Sequence, residues 1–303
     1  MTMQSAIPAA SESLPQTDCP HRPGLPCELA SLGSFMDKSG LVGTVEVRRC
    51  VRCGHGVTYP PIPDVSFLYG DRESQDYQPD AKRGLAHRIK NIAFRLQARK
   101  LLRQISQPGS RALDFGCGSG QFTRVLGELI PETELTGSDF FEIPPHELKG
   151  RSYTHSGKLN TQLASYDLVM AFHVLEHDDD ATRLLKKIVA PARPGATVVI
   201  EVPNVDCAWH KIFGRFWDAW YTPYHRHHFS RRSLVHFLER HGLSVRAVHR
   251  ITSPTMGRTM ANLAGSRNNL AWLLLGIGLH PLQWIGEAIT RQPTSLRVIA
   301  TKC

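Results

Sequence analysis

The stretch Arg111-Ala-Leu-Asp-Phe-Gly-Cys-Gly-Ser-Gly-Gln-Phe-Thr-Arg constrains this chain more than any other. The apolar run Ala112, Leu113 and Phe115 reads as a buried parallel strand. It breaks into glycines at 116, 118 and 120, and a helix-like segment follows. Glycine permits the sharp turn and lets a ligand approach main-chain N–H groups with no Cβ in the way. Further on, Thr133-Glu-Leu-Thr-Gly-Ser-Asp139 ends a second strand on a carboxylate, where a nucleotide-type ribose would be held. A chain carrying this pair folds as alternating strands and helices around a ligand at the strands' carboxyl ends.

The glycines alone would serve NAD, FAD or S-adenosylmethionine. Asp114, two positions before the first glycine, discriminates among them. A carboxylate there repels a dinucleotide's pyrophosphate and attracts the cationic amino-acid end of S-adenosylmethionine, which carries no phosphate.

Asp114 to Gly120, Asp139, Tyr166-Asp-Leu-Val-Met-Ala-Phe-His-Val-Leu-Glu-His177 and Pro194-Gly-Ala-Thr-Val-Val-Ile-Glu-Val-Pro203 follow one another in order. Together they resemble the successive motifs of a class I S-adenosylmethionine-dependent methyltransferase, over roughly residues 80 to 303. The resemblance implies a doubly wound, Rossmann-like α/β fold with a seven-stranded sheet. It also implies a cofactor site drawn from Asp114, Gly116, Cys117, Gly118, Gly120, Asp139, Phe140, Phe172 and His173. Strands are expected at 111–115, 134–138, 151–155, 166–171, 196–202, 243–250 and 295–301, and helices at 121–130, 180–190 and 231–241.

The string His173-Val-Leu-Glu176-His177 also spells the His-x-x-Glu-His pattern of some zinc peptidases. Those residues must lie on a helix, whereas here they follow a strand directly, so the peptidase reading fails. In coenzyme Q-type O-methyltransferases a similar Glu-x-x-Glu-His string is associated with magnesium. His173 stands where its first Glu would be, so no metal is carried over. Glu176 and His177 are expected to orient the cofactor or border the acceptor.

Trp209 to Ser230 is dense in aromatics and histidines and reads as the wall of an acceptor pocket. Its ending resembles the family's His-x-x-x-Phe-Ser signature, which puts His225 at the substrate-facing histidine. In related sugar methyltransferases that position is the general base. A histidine near neutral pKa suits removal of a hydroxyl proton, so His225 and His177 are the candidate catalytic residues. Ser230 would cap the helix from Arg231.

Ahead of this domain, residues 1–18 read as a disordered tail rich in Ser, Pro, Ala and Gln. Residues 19–70 carry four of the seven cysteines and read as a zinc-ribbon-like module. Cys50-Val-Arg-Cys53-Gly54 is a metal knuckle by spacing, and Cys19 and Cys27 would complete four thiolates around zinc. The gap between that second pair is long, so His21 or His55 is an alternative to Cys19. This leader, with Tyr59-Pro-Pro-Ile-Pro63 and Tyr69, resembles that of some sugar and natural-product methyltransferases, which implies a substrate-side module.

Two apolar or basic segments bear on partners. Lys82 to Ile105 has helical periodicity with many Arg and Lys, and residues 270–290 are apolar but interrupted by His280 and Pro281. The first reads as the helix before the first strand, and the 252–294 insertion as two short helices forming a lid. Both segments are candidate peripheral membrane contacts, and a lid implies a greasy or lipid-linked acceptor. The net charge of +9 fits an anionic partner. RNA methylation is a rival reading, weakened by the absence of an Asn/Asp-Pro-Pro-Tyr-type tetrad after strand four. A cofactor-binding module that only regulates a partner is a second rival. With no export signal evident and an odd number of cysteines, a cytoplasmic protein is expected. The expected chemistry is methyl transfer to oxygen on a small-molecule, sugar or lipid-linked acceptor.

Overall fold

The computed structural model describes residues 18–19, 22–69, 84–161 and 164–303. Most of the tail expected at 1–18, together with His21, Lys82 and Arg83, lies outside the described residues. A seven-stranded sheet organises the larger part. Its strands are β6 (Arg111–Phe115), β7 (Glu134–Asp139), β8 (Tyr153–His155), β9 (Tyr166–Phe172), β10 (Ala192–Pro203), β12 (Leu243–Ile251) and β13 (Ser295–Lys302). Their spatial order is β12-β13-β10-β9-β6-β7-β8, with β13 antiparallel to both neighbours and the rest parallel. The central strands are buried on both faces, which is why they read as continuous apolar runs. All seven expected strands are present.

Helices cover both faces. Helix α1 (Leu85–Gln104) and α2 (Gln121–Gly127) pack on one side around Leu101, Leu126, Met170 and Val199. On the other side lie α3 (Ala181–Val189) and α5 (Arg231–Arg240), around Val169, Leu185, Ile200 and Leu238. Ser230 caps α5 as expected: its hydroxyl accepts from Ser233 N at 3.1 Å, completing a capping box. The parallel arrangement sets the ends of β6, β7, β9 and β10 on one rim, where ligands bind in such sheets.

The leader does not stand apart. After β1 (Asp18–Cys19) and β2 (Arg22–Pro26), strands β3 (Leu29–Phe35), β4 (Val45–Cys50) and β5 (Gly56–Tyr59) form a sheet whose fourth strand is β11 (His227–His228). That strand comes from the histidine-rich segment some 170 residues later, so leader and rim share a sheet.

The 252–294 insertion differs from the expected pair of short helices. After α4 (Ala208–Phe213), α6 (Met256–Leu263) is short, but α7 (Leu270–Thr290) runs 21 residues, straight through Pro281. The two meet at glycines: a Cβ on Gly257 would sit 2.3 Å from Trp272 O, and one on Gly276 2.8 Å from Gly257 N. Tertiary packing of this close crossing holds α7 continuous where a proline signals a break. No described helix is long and apolar enough to cross a membrane.

Candidate active site

Beyond β6 the chain turns at Gly116 and Cys117, whose N–H groups both donate to Ser138 O at 2.7 and 2.9 Å. Gly116 (φ +75°) and Gly120 (φ +73°) lie in the left-handed region, and a Cβ on either would strike Val174 or Leu148. Gly118 differs: it has positive φ too, yet nothing lies within 4 Å of where its Cβ would be. Open space over a bare backbone is the cradle a ligand needs. Asp139 at the end of β7 closes one side; its carboxylate accepts from Gly118 N and Phe140 N, each at 2.8 Å. Beside it the Phe140 ring is half exposed and meets Tyr69 edge-on at 5.7 Å.

Asp114 is almost fully buried and accepts a 2.6 Å hydrogen bond from the Thr123 hydroxyl. Burial raises its pKa to about 7, opposed by the Thr123 bond and assisted by the nearby Asp139 charge. The remaining two cofactor candidates, at the end of β9 and just after it, are partly exposed. Phe172 packs its ring against Phe122 at 5.1 Å, with the Arg297 guanidinium 5.3 Å above, so protein occupies much of its surface. His173 has positive φ (+55°) and spans two carboxylates, Nδ1 lying 3.4 Å from Glu176 and Nε2 3.3 Å from Glu201. Burial would lower its pKa, but hydrogen bonds and charge from both carboxylates outweigh that and raise it to about 10.

The catalytic candidates converge next to Tyr69, the ring that also meets Phe140. His177 Nδ1 lies 2.7 Å from the Tyr69 hydroxyl, and its ring meets His225 edge-on at 4.8 Å. His225 is buried, and its Nδ1 donates to Ala219 O at 3.0 Å, which assigns the proton to Nδ1 and leaves the Nε2 lone pair facing Glu176 at 3.7 Å. Burial, then repulsion from His177 and His228, holds its pKa well below the ordinary range, so it is a neutral imidazole at pH 7. The aromatic segment forms a wall nearby: Trp217 and Trp220 are buried, and Trp220 meets His228 at 5.2 Å.

Four site residues escaped the sequence reading. Arg226, with no exposed surface, donates to Asp179, Pro223 O, Thr58 O and Pro60 O, and its N–H reaches Glu176 O at 2.6 Å. It thereby ties the His225 loop to the leader and to the loop after β9. Asp179 also accepts from Ile62 N. Glu201 on β10 and Arg297 on β13 form a fully buried ion pair, Nε to Oε2 2.7 Å. Each interrupts the apolar run of its strand, a readable signal whose partner could not be read.

Cys19, Cys27, Cys50 and Cys53 bring their sulfurs within 4.8 Å of one another, with Cys19···Cys50 at 3.8 Å and Cys27···Cys53 at 3.4 Å. Tetrahedral zinc with 2.3 Å Zn–S bonds needs sulfurs about 3.8 Å apart, so the four thiols fit zinc. The long Cys19–Cys27 gap is taken up by the antiparallel β1–β2 ribbon, which returns the chain to its start. His55 is not an alternative ligand: its Nε2 is 3.1 Å from His227 Nδ1, and Cys19 takes the fourth corner.

Comparison with known proteins gives a family. The family described as "Methyltransferase domain" matches residues 81–248. A trans-aconitate 2-methyltransferase of Deinococcus radiodurans is 28% identical over 112 residues, 35% of this chain and 43% of that protein. A demethylspheroidene O-methyltransferase of Rhodobacter capsulatus is 32% identical over 174 residues, 48% of this chain and 42% of that protein. The chain thus spans less than half the length of these curated relatives. Among solved structures, 1,6-didemethyltoxoflavin-N1-methyltransferase of Burkholderia thailandensis, with its substrate and S-adenosylhomocysteine bound, aligns over 83% of this chain and 97% of its own. Its TM-score is 0.49 and its identity 15%.

Proposed function

The chain belongs to the methyltransferase-domain family, and on that premise we propose that it transfers a methyl group from S-adenosylmethionine to an oxygen of a small acceptor, a sugar or lipid-linked one included. The observation that carries the proposal is the open cradle over Gly118 beside the Asp139 carboxylate, linked through the Phe140, Tyr69 and His177 side chains to the neutral His225.

The residues fit the cofactor. Asp114 is the counter-ion for a cationic amino group, Asp139 the acceptor for ribose hydroxyls, and Gly116, Cys117, Gly118 and Gly120 the backbone floor, with Phe140 and His173 at its edges. When bound, S-adenosylmethionine supplies an electrophilic methyl on a sulfonium. The chain must hold an acceptor hydroxyl in line and take its proton. In this reading the hydroxyl proton passes to the Nε2 lone pair of His225, and the imidazolium formed is stabilised by the Glu176 carboxylate. Holding nucleophile and methyl together while excluding water supplies the rest. His177, oriented by Tyr69, borders the acceptor. Zinc on the four cysteines is structural, fixing the sheet whose strand β11 follows His225. Peripheral membrane contact through 82–105 or 270–290 is part of the same proposal.

Calorimetric titration with S-adenosylmethionine and, separately, NADH tests it. Binding of the first alone, abolished in Asp114→Ala, supports the assignment. NADH binding, or Asp114→Ala affinity equal to the native protein's, rejects it.

A further inference from the structure

Helix α7 turns one face to the protein and one to solvent, and the two faces have opposite chemistry. The inner face is fixed by polar contacts in its second half. Gln283 donates to Ser253 O, Thr294 Oγ1 and Glu287 Oε1 at 2.8 to 2.9 Å, and Glu287 accepts from Thr294 N at 3.0 Å. Gly276 lies against Gly257, and Gly286 against the Trp209 ring. The outer face is apolar over most of its length, with the partly exposed His280 inside the helix and Thr290 at its end as the polar exceptions. From Leu270 to Ile289 every exposed residue of the helix is apolar. Leu274, Ile277, Leu282, Trp284, Ile285 and Ile289 stand between 44% and 78% exposed. A stripe of this length in water is a surface meant to be covered.

The charge pattern says by what. Within residues 252–294 the sole acidic side chain is Glu287, which is buried, while Arg267 and Arg291 are exposed just beyond the two ends of α7. An apolar stripe with an indole on it and cations at both ends fits the interface of an anionic bilayer, where the cations meet phosphate and the stripe enters the acyl boundary. A second copy of the chain fits poorly. Two such faces related by a two-fold axis would bring the arginine ends of antiparallel helices onto each other. Helix α1 lacks this pattern, since its exposed Ile92 and Leu96 alternate with exposed Arg88, Lys90, Arg95 and Arg99.

We propose that α7 lies in the plane of an anionic membrane surface, and that the acceptor is a lipid drawn from that membrane. The aromatic wall supports the second half. Trp209 touches α7 at Gly286, Phe213 stacks between Trp209 and Trp217, and Trp220 meets His228, so one apolar cluster, which also takes in Met256 and Leu279, joins the helix to the histidine segment. The second half rests on the methyl-transfer reading; the first does not.

The test is co-sedimentation of the full chain with vesicles of phosphatidylcholine alone or with phosphatidylglycerol added, without S-adenosylmethionine. The native protein should bind the anionic vesicles. Arg267→Gln with Arg291→Gln should weaken binding about thirtyfold at low salt. Leu274→Asp with Ile285→Asp should abolish it at an unchanged melting temperature. A native protein that leaves both vesicles unbound overturns the proposal. So does a native dimer, by light scattering, that the aspartate pair converts to monomer, since the face is then a self-contact. Methyl label from S-adenosylmethionine should appear in an anionic lipid extract. Vesicle binding without any label would overturn the acceptor half and leave the surface intact. Label on a soluble acceptor alone would do the same while preserving methyl transfer.

Discussion

His225 presents the lone pair of Nε2 to the fully buried carboxylate of Glu176 at 3.7 Å, while its other nitrogen donates to Ala219 O. The same Oε1 also faces His173 Nδ1 at 3.4 Å, so the Glu176 carboxylate lies between two imidazoles. Burial and the neighbouring imidazoles keep His225 neutral at rest, and an imidazolium formed there during turnover would lie beside the Glu176 carboxylate. The pair belongs to two loops that Arg226 and Asp179 fasten together, so its spacing is a property of the fold.

His225→Ala should therefore lower turnover about 10²- to 10⁴-fold while leaving S-adenosylmethionine affinity unchanged. Because burial keeps the His225 pKa well below 6.5, native turnover should show no acid limb near that value and should fall only at lower pH. Initial rates against pH, with calorimetric affinities alongside, check both parts. Full activity in His225→Ala would remove it as base.

Cofactor affinity should have its own pH dependence. Burial leaves the Asp114 carboxyl titrating near 7, and a cationic amino group selects the ionised form. Binding should release a proton and weaken about tenfold between pH 8 and pH 6. Calorimetry in two buffers of different ionisation enthalpy measures the proton directly, and equal affinities at the two pH values would reject this role for Asp114.

The histidines packed between leader and rim bear on stability in the acid range. Burial first, then repulsion from neighbouring imidazoles, lowers the pKa of His55 and His225, and lowers that of His228 to about 3. Their unfolded forms take protons near 6.5 while the folded forms do not. Stability is then full above 6.5 and is lost as pH falls toward the folded values. The melting temperature, with zinc in excess, should be level from pH 8 to 6.5 and drop by roughly 3 °C or more by pH 5.5.

Zinc should be removable and felt at a distance. Protein purified without chelator should hold about one zinc per chain, released by a mercurial that titrates the four thiols. Cys53→Ser should lose the metal and lower the melting temperature. It should also reduce turnover, because Ser230 donates to Cys53 O and Thr58 to His225 O, so the leader supports the His225 loop. Native stability and activity in a zinc-free Cys53→Ser protein would show the cluster to be dispensable.

How much of this was legible in advance follows from the range of each interaction. The sheet and its rim were readable because each strand is an apolar run ending in a local turn signal: Gly116 after β6, Asp139 at the end of β7, His173 after β9. The four-cysteine cluster was readable by residue type, but its long gap made sense only once β1 and β2 paired. What could not be read were contacts set by register between distant segments. Strand β11 joins β5 across some 170 residues, and Arg226 reaches Thr58 and Pro60 over a similar separation. Pro281 misled for a related reason, since packing of Gly257 on Gly276 keeps α7 helical through it.

The clearest case is Glu201 and Arg297, brought face to face by the antiparallel register of β10 and β13. Arg297 is completely buried and also donates to Gln104 at 2.9 Å, and Glu201 holds His173 on its other side. Glu201→Gln removes the anion from between two cations, leaving the Arg297 charge buried without compensation. Breaking one partner of a buried pair costs about 3–5 kcal/mol, a large share of a domain's stability. The same change withdraws one of the two carboxylates that raise the His173 pKa, so that histidine should titrate below its native value of about 10. Urea denaturation should show the lost stability, and NMR titration of the His173 ring the lowered pKa. Replacing both partners by Gln and Met should recover part of the loss, because no charge is then stranded. A Glu201→Gln protein as stable as the native one would mean that Arg297 reaches water, contrary to its burial.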